Sequence, residues 1–121
     1  MNIQTVEQNN QKIAIVRGEK LLIADVQSAL DLIATVRYET GGDRIVLHQE
    51  AVHPDFFELK TRLAGEVLQK FINYGAKLTI VGDFSLYDSK SLRDFIYESN
   101  QGKDIFFVNR EEEAIARLAH A

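Results

Sequence analysis

Hydrophobic positions along the chain form short continuous runs that are separated by longer segments with helical spacing. Four runs stand out, at residues 13–16, 45–47, 78–81 and 105–108, and they are rich in β-branched, aliphatic and aromatic side chains. Runs that do not alternate with polar residues are typical of strands buried on both faces, as in a parallel sheet covered by helices. The pattern therefore predicts four central strands.

A weaker apolar pattern precedes the first of these runs. It includes Ile3, Thr5 and Val6 and is followed by Asn9 and Asn10, a pair that tolerates the positive φ angles of a two-residue hairpin turn. The sequence therefore predicts an additional strand, antiparallel to its neighbour and placed at an edge of the sheet.

The segments between and after the runs carry apolar residues three or four positions apart, as one buried helix face requires. Their starts are marked by residues that cap helices or fix φ: Asp25, Pro54, Ser89 and Asn109. In the second helix, Asp55 and Glu58 have the spacing of a capping box, and Gly75 suits the left-handed closing position. The order β-β-α-β-α-β-α-β-α predicts a single α/β domain over residues 1–121. Its five-stranded, mostly parallel sheet has an antiparallel N-terminal edge strand and is covered by four helices.

Composition narrows the classes of function. The 121 residues contain 14 Lys and Arg against 18 Asp and Glu, a net charge of −4, and the basic residues are scattered. Nucleic-acid binding is therefore not expected, because it needs a basic face that neutralises phosphates. The absence of cysteine excludes disulfides, thiolate metal sites and cysteine nucleophiles. No signal peptide and no apolar run of about 20 residues is visible, so we expect a cytoplasmic protein without membrane contact or cofactor.

Ligands of open α/β sheets gather at the carboxyl ends of the parallel strands, which directs attention to the loops at residues 48–55, 82–88 and 109–110. The first is the richest in chemistry. Together with a carboxylate from the second loop it offers five candidate residues for a metal, ligand or acid–base site: His48, Glu50, His53, Asp55 and Asp83. The alternative is structural: Asp55 caps the helix, His48 bonds a loop carbonyl, and Glu50 is solvated. Their spacing matches no recognised metal motif.

The second loop carries three large apolar side chains, Phe84, Leu86 and Tyr87, within four residues. If exposed, they would form a patch that binds a partner protein. Alternatively, two of them fold back to cover the end of the sheet.

No complete catalytic motif is present. The glycines form neither a phosphate-binding loop nor a dinucleotide fingerprint, and no nucleophile elbow surrounds a serine. Glu111, Glu112 and Glu113 occupy the first turn of the last predicted helix, where the helix dipole favours negative charge. We expect all three to be solvated.

Several segments between Pro54 and Gly102 resemble a bacterial family known only as a domain of unknown function. The similar segments are residues 54–61, 65–66, 81–85 and 89–95. The resemblance extends over nearly the whole chain and implies no particular activity.

The order of elements is similar to that of the sulphate-transporter and anti-sigma-factor-antagonist (STAS) domain, a small partner-binding module. Residues 75–82 and 105–114 resemble the corresponding strand and helix junctions of that family. Its defining Asp-Ser-Ser/Thr-Gly-Leu motif would fall at residues 59–63, where this chain keeps a hydroxyl at Thr61 and an apolar residue at Leu63 but lacks the acid and the glycine. The resemblance implies protein binding, without the phosphorylation that the full motif would support.

The sequence thus favours a non-catalytic regulatory or protein-interaction module whose partner is another protein. The candidate interaction residues lie in the second predicted helix and in the second loop: Phe56, Thr61, Phe84 and Tyr87. The alternative is a small metal- or ligand-binding protein, or an enzyme, that uses the 48–55 loop. A homodimer that buries an edge strand or a helix face is a further possibility.

Overall fold

A computed structural model describes all residues 1–121. It confirms the mixed α/β architecture, with a five-stranded sheet and four α-helices. The strands are β1 (Asn2–Gln8), β2 (Gln11–Arg17), β3 (Arg44–His48), β4 (Lys77–Val81) and β5 (Ile105–Val108). The helices are α1 (Val26–Thr40), α2 (Leu63–Asn73), α3 (Lys90–Gln101) and α4 (Glu111–Ala119).

The strands lie side by side in chain order, β1-β2-β3-β4-β5. The pair β1–β2 is antiparallel and the other three pairs are parallel. Asn9 and Asn10 form the β1–β2 turn with φ angles of 54° and 62°, which confirms the predicted hairpin.

Helices cover the two faces of the sheet unequally. Helices α1, α2 and α3 pack on one face over the larger core, which includes Leu47, Ile80 and Phe107. Helix α4 alone packs on the other face, over residues such as Val46 and Phe106. Alternation along each strand divides these side chains between the faces, so the central strands are apolar on both sides.

The prediction that the second helix begins near Pro54 was wrong. Pro54–Phe57 and Leu59–Thr61 are separate 3₁₀ turns, and α2 begins only at Leu63. The carbonyl oxygens of Asp55 and Glu58 accept from the amides of Glu58 (3.2 Å) and Thr61 (2.9 Å) within these turns. The single hydroxyl proton of Thr61 is shared between the same two carbonyl oxygens, at 2.6 Å and 2.9 Å, so both are satisfied without a continuous helix. Arg62 then adopts a left-handed φ of 67° and interrupts the run.

Other helix boundaries follow the local sequence more closely. Asp25 caps α1 by accepting from the amide of Ser28 at 2.8 Å, and Ser89 caps α3 by accepting from the amide of Leu92 at 3.1 Å. Helix α4 begins at Glu111 rather than at Asn109, and its capping residue makes no side-chain hydrogen bond. The side chain of Glu111, the first residue of α4, is directed toward Arg17 at the carboxyl end of β2.

Candidate functional site

The carboxyl ends of β2 to β5 lie along one edge of the sheet, which we call the carboxyl rim. His48 at the end of β3 is in register with Val81 of β4, and Val81 is in register with Val108 of β5. The amide of Gly82 continues this alignment by donating to the carbonyl oxygen of Val108 at 2.9 Å. The loops that follow these strands are therefore neighbours, as the sequence predicted.

A polar cluster that sequence analysis missed lies on the carboxyl rim. Arg17, the last residue of β2, donates two hydrogen bonds to the carboxylate of Glu111, at 2.6 and 3.0 Å. His48 brings its Nε2 atom against the same carboxylate and lies 3.3 Å from the Arg17 Nη1 atom. We call these three residues the Arg17–His48–Glu111 cluster. The expectation that Glu111 is simply solvated was wrong.

The close approach of His48 Nε2 to a Glu111 oxygen requires a proton between the two atoms, since otherwise two lone pairs would face each other. That proton prevents Nε2 from also accepting a hydrogen bond from Arg17. The imidazole therefore donates to Glu111, while Arg17 holds the carboxylate in a bidentate arrangement.

Arg17 and His48 both make Glu111 more acidic. Hydrogen bonds from Arg17 and then from His48 lower the pKa of Glu111 from 4.5 to about 2, although partial burial opposes the shift. The same carboxylate raises the pKa of the Arg17 guanidinium. The cluster is thus stabilised when Glu111 is ionised.

We expect Glu111→Gln to lower the free energy of unfolding at pH 7 and to change it little in acid. The folded state lowers the pKa of Glu111, so its contribution is fully present above pH 4.5 and is lost as pH falls toward 2. The cluster is partly exposed, so we expect the free energies of unfolding of the parent chain and the variant to differ by about 1–2 kcal/mol at pH 7. Urea unfolding of both proteins between pH 7 and pH 2.5 measures it.

Glu112→Gln is the matched control, because Glu112 lies in the same helical turn, is exposed and makes no ion pair. It should unfold like the parent chain at every pH. A Glu111→Gln difference that stays constant down to pH 2.5 would contradict the assigned pKa shift.

The structure separates the five candidate ligand residues. His48 and Glu50 line one concavity of about 400 Å³, together with Arg17 and Lys20. The other three residues lie outside this lining and bond locally: His53 Nδ1 accepts from the amide of Asp55 at 3.0 Å, and Asp83 caps a 3₁₀ turn. No group of three or more His, Asp or Glu side chains could hold a metal ion.

The four candidate interaction residues also differ in exposure. Phe56 is fully buried in the core, and the hydroxyl of Thr61 is engaged with backbone carbonyls. Phe84 and Tyr87 are half-buried and pack against the core. Leu86, between them, is 75% exposed. Two of the three large apolar side chains have folded back, which was one of the alternatives for this loop.

Aromatic contacts fix the loop of residues 82–88, which we call the rim loop. The ring of Tyr87 stacks on Phe57 with centroids 5.4 Å apart, and the Phe84 ring lies 5.9 Å from Phe57 and 5.5 Å from Phe107. Gln49 Nε2 donates to the Tyr87 hydroxyl at 2.6 Å. The backbone on both sides of Leu86 is therefore anchored, and Leu86 is held outward.

Comparison with known proteins assigns the chain to a family. Residues 8–118 match the family described as a domain of unknown function, DUF4180. The chain belongs to the DUF4180 family. This result confirms the resemblance to a domain of unknown function, and the family description supplies no activity.

No curated protein and no solved structure matches this chain significantly. None of its helices has the length and apolar character needed to cross a membrane.

Proposed function

We propose that this DUF4180 domain is a non-catalytic protein-interaction module that binds its partner through Leu86 on the rim loop. The observation that carries the proposal is the 75% exposure of a large aliphatic side chain between two anchored aromatic residues. A single exposed leucine is ordinary on a protein surface. Leu86, however, is held on an anchored loop at the edge of the sheet where α/β domains place their ligand-binding sites. This position favours a binding contact.

The packing around Leu86 reduces the cost of binding. A mobile loop would lose conformational freedom when it docks, whereas this one is already ordered by Phe84, Tyr87 and the bond from Gln49. Burying the Leu86 side chain in a partner pocket should contribute about 1.5–3 kcal/mol. That contribution corresponds to roughly 10- to 100-fold in affinity.

Charges near Leu86 indicate the chemistry of the partner surface. Asp83 and Asp88 are exposed at the two ends of the rim loop, and neither forms an ion pair. The complementary surface is an apolar pocket bordered by Lys or Arg side chains, because a neutral or acidic border would leave the two negative charges uncompensated.

The similarity to STAS domains supports the same kind of function. Those domains are small partner-binding modules, and the β-β-α-β-α-β-α-β-α order of strands and α-helices in this chain is similar to theirs. Thr61 falls at the position that corresponds to their phosphorylated segment, and its hydroxyl proton is shared between two backbone carbonyl oxygens. We therefore propose binding without phosphorylation at Thr61.

Leu86→Ser tests the proposal because it removes the exposed side chain without touching the aromatic anchors. Partners recovered from an extract of the source organism with the parent domain should be lost or reduced at least 10-fold with Leu86→Ser, as measured by quantitative mass spectrometry. The matched control is Tyr97→Ser on α3, since Tyr97 is 67% exposed and lies outside the rim loop. Equal recovery with both variants would show that Leu86 is not the contact.

A further inference from the structure

The two outer edges of the sheet differ in how they are protected. At the β5 edge, Asn100 bonds both backbone groups of Phe107: its Oδ1 accepts from the amide at 2.8 Å, and its Nδ2 donates to the carbonyl oxygen at 3.1 Å. The side chain thus occupies the place of a neighbouring strand. Strand β1 pairs with β2 alone, and no loop or side chain bonds its outer edge.

The hairpin turn determines which backbone groups of β1 point outward. In a two-residue turn with positive φ at both positions, the flanking residues Gln8 and Gln11 exchange hydrogen bonds. Bonded and non-bonded pairs then alternate, so the even-numbered residues of β1 bond β2. The amides and carbonyls of Ile3, Thr5 and Glu7 therefore point away from the sheet.

The side chains of β1 lack the usual protection against strand pairing. Its seven residues include one charge, Glu7, and neither lysine nor proline. Exposed edges are normally blunted by such residues, by bulges or by a covering element, as Asn100 does for β5. An uncovered regular edge of this length is suited to pairing with another strand.

We propose that two copies of this chain pair through β1 in antiparallel fashion, with the two-fold axis at Thr5. The outward-bonding residues Ile3, Thr5 and Glu7 are spaced symmetrically about Thr5, which makes the edge complementary to itself. In this register the backbone of Thr5 exchanges two hydrogen bonds with the backbone of Thr5 in the second copy. The backbone of Ile3 does the same with Glu7 of the second copy. The result is a continuous ten-stranded sheet with six hydrogen bonds at its centre.

The side chains fit this register. Glu7 lies opposite an isoleucine rather than another carboxylate, so no like charges face each other. Gln4 lies opposite Val6 of the second copy, and the two threonines at the axis form a favourable pair. No unlike partner is needed, and for this reason we assign the edge to a second copy.

Sedimentation velocity over a range of concentrations tests the dimer. Edge pairing buries less surface than most stable interfaces, so we expect reversible dimerisation, with the dimer fraction rising between about 1 and 500 μM. Thr5→Pro removes an outward amide rather than one that bonds β2, a position where an edge strand accommodates proline. It should weaken dimerisation about 10-fold or more, whereas Thr5→Val should not.

A cysteine cross-link tests the register, because the chain has no cysteine of its own. Thr5→Cys should form a covalent dimer under mild oxidation, since the two residues meet at the axis. Glu7→Cys should not, because its two copies would be about 14 Å apart along the strands. A monomer at every concentration, a dimer that Thr5→Pro leaves unchanged, or equal cross-linking at both positions would each overturn the proposal.

Discussion

Phe107→Ala is expected to destabilise the fold by about 3–5 kcal/mol and to release the rim loop. Phe107 is 4% exposed and lies at the centre of an aromatic cluster, with ring centroids 5.5 Å from Phe84, 6.0 Å from Phe95 and 6.4 Å from Phe56. Truncation removes the transfer free energy of the ring and leaves a cavity that three neighbouring rings can only partly fill. Urea unfolding measures the loss of stability.

Phe106→Ala is the matched control for the effect on the loop. Phe106 precedes Phe107 on β5 and is 2% exposed, but it points to the α4 face and lies under the guanidinium of Arg117 at 4.3 Å. Its truncation should cost a comparable free energy of unfolding. Hydrogen exchange separates the two variants, because only Phe107→Ala should accelerate exchange at the Tyr87 amide under native conditions.

Equal acceleration at Tyr87 in both variants would mean that the loop responds to global stability alone. The aromatic cluster would then not be what holds Leu86 in place. The rim loop would then not be pre-organised by its aromatic contacts, although Leu86 would still be exposed.

Much of the fold could be predicted from the sequence because its signals are local. The apolar runs gave the central strands, and the Asn9–Asn10 pair gave the hairpin. The beginning of α2 was misplaced because the capping-box spacing of Asp55 and Glu58 is compatible with other turns. The Asp55 and Glu58 carbonyls accept instead from amides within the 3₁₀ turns and from the Thr61 hydroxyl, whose contacts depend on the folded chain.

The Arg17–His48–Glu111 cluster could not be found by local reasoning. Its carboxylate is separated by 94 residues from Arg17 and by 63 from His48, so only the sheet order brings the three together. One feature could have indicated the cluster. Strand β2 is parallel to β3, so Arg17 at the end of β2 lies on the same rim as His48. Applying the carboxyl-end rule to β2 as well would have selected Arg17.

Which apolar side chain of the rim loop is exposed could not be predicted from the sequence either. Phe84, Leu86 and Tyr87 are all large and mainly apolar, so their sequence does not show which of them faces solvent. The ring of Phe57, against which Phe84 and Tyr87 pack, lies in the 3₁₀ turn Pro54–Phe57 and not in the helix predicted there. The segment whose conformation was predicted wrongly is thus the one that contacts the loop.

Gly82→Ala should cost about 1–3 kcal/mol and disturb the rim loop from the opposite side. A Cβ atom at residue 82 would lie 2.7 Å from the Cβ of Gln49 and 2.3 Å from its Oε1. The Oε1 atom can rotate away, but the Cβ is fixed to the backbone, so the segment after β3 must shift. Gln49 would then lose its hydrogen bond to the Tyr87 hydroxyl. Urea unfolding and the NMR signals of the rim loop measure both effects.

A double-mutant cycle identifies the clash as the cause. Gln49→Gly removes the obstructing Cβ and should recover much of the stability lost in Gly82→Ala, whereas Gln49→Ala keeps that atom and should not. Gly65→Ala controls for the substitution itself, because its added Cβ meets nothing within 4 Å and lies in α2. It should stabilise the fold by about 0.5–1 kcal/mol through helix propensity. Equal rescue by Gln49→Ala and Gln49→Gly would locate the strain elsewhere than at the Gln49 Cβ.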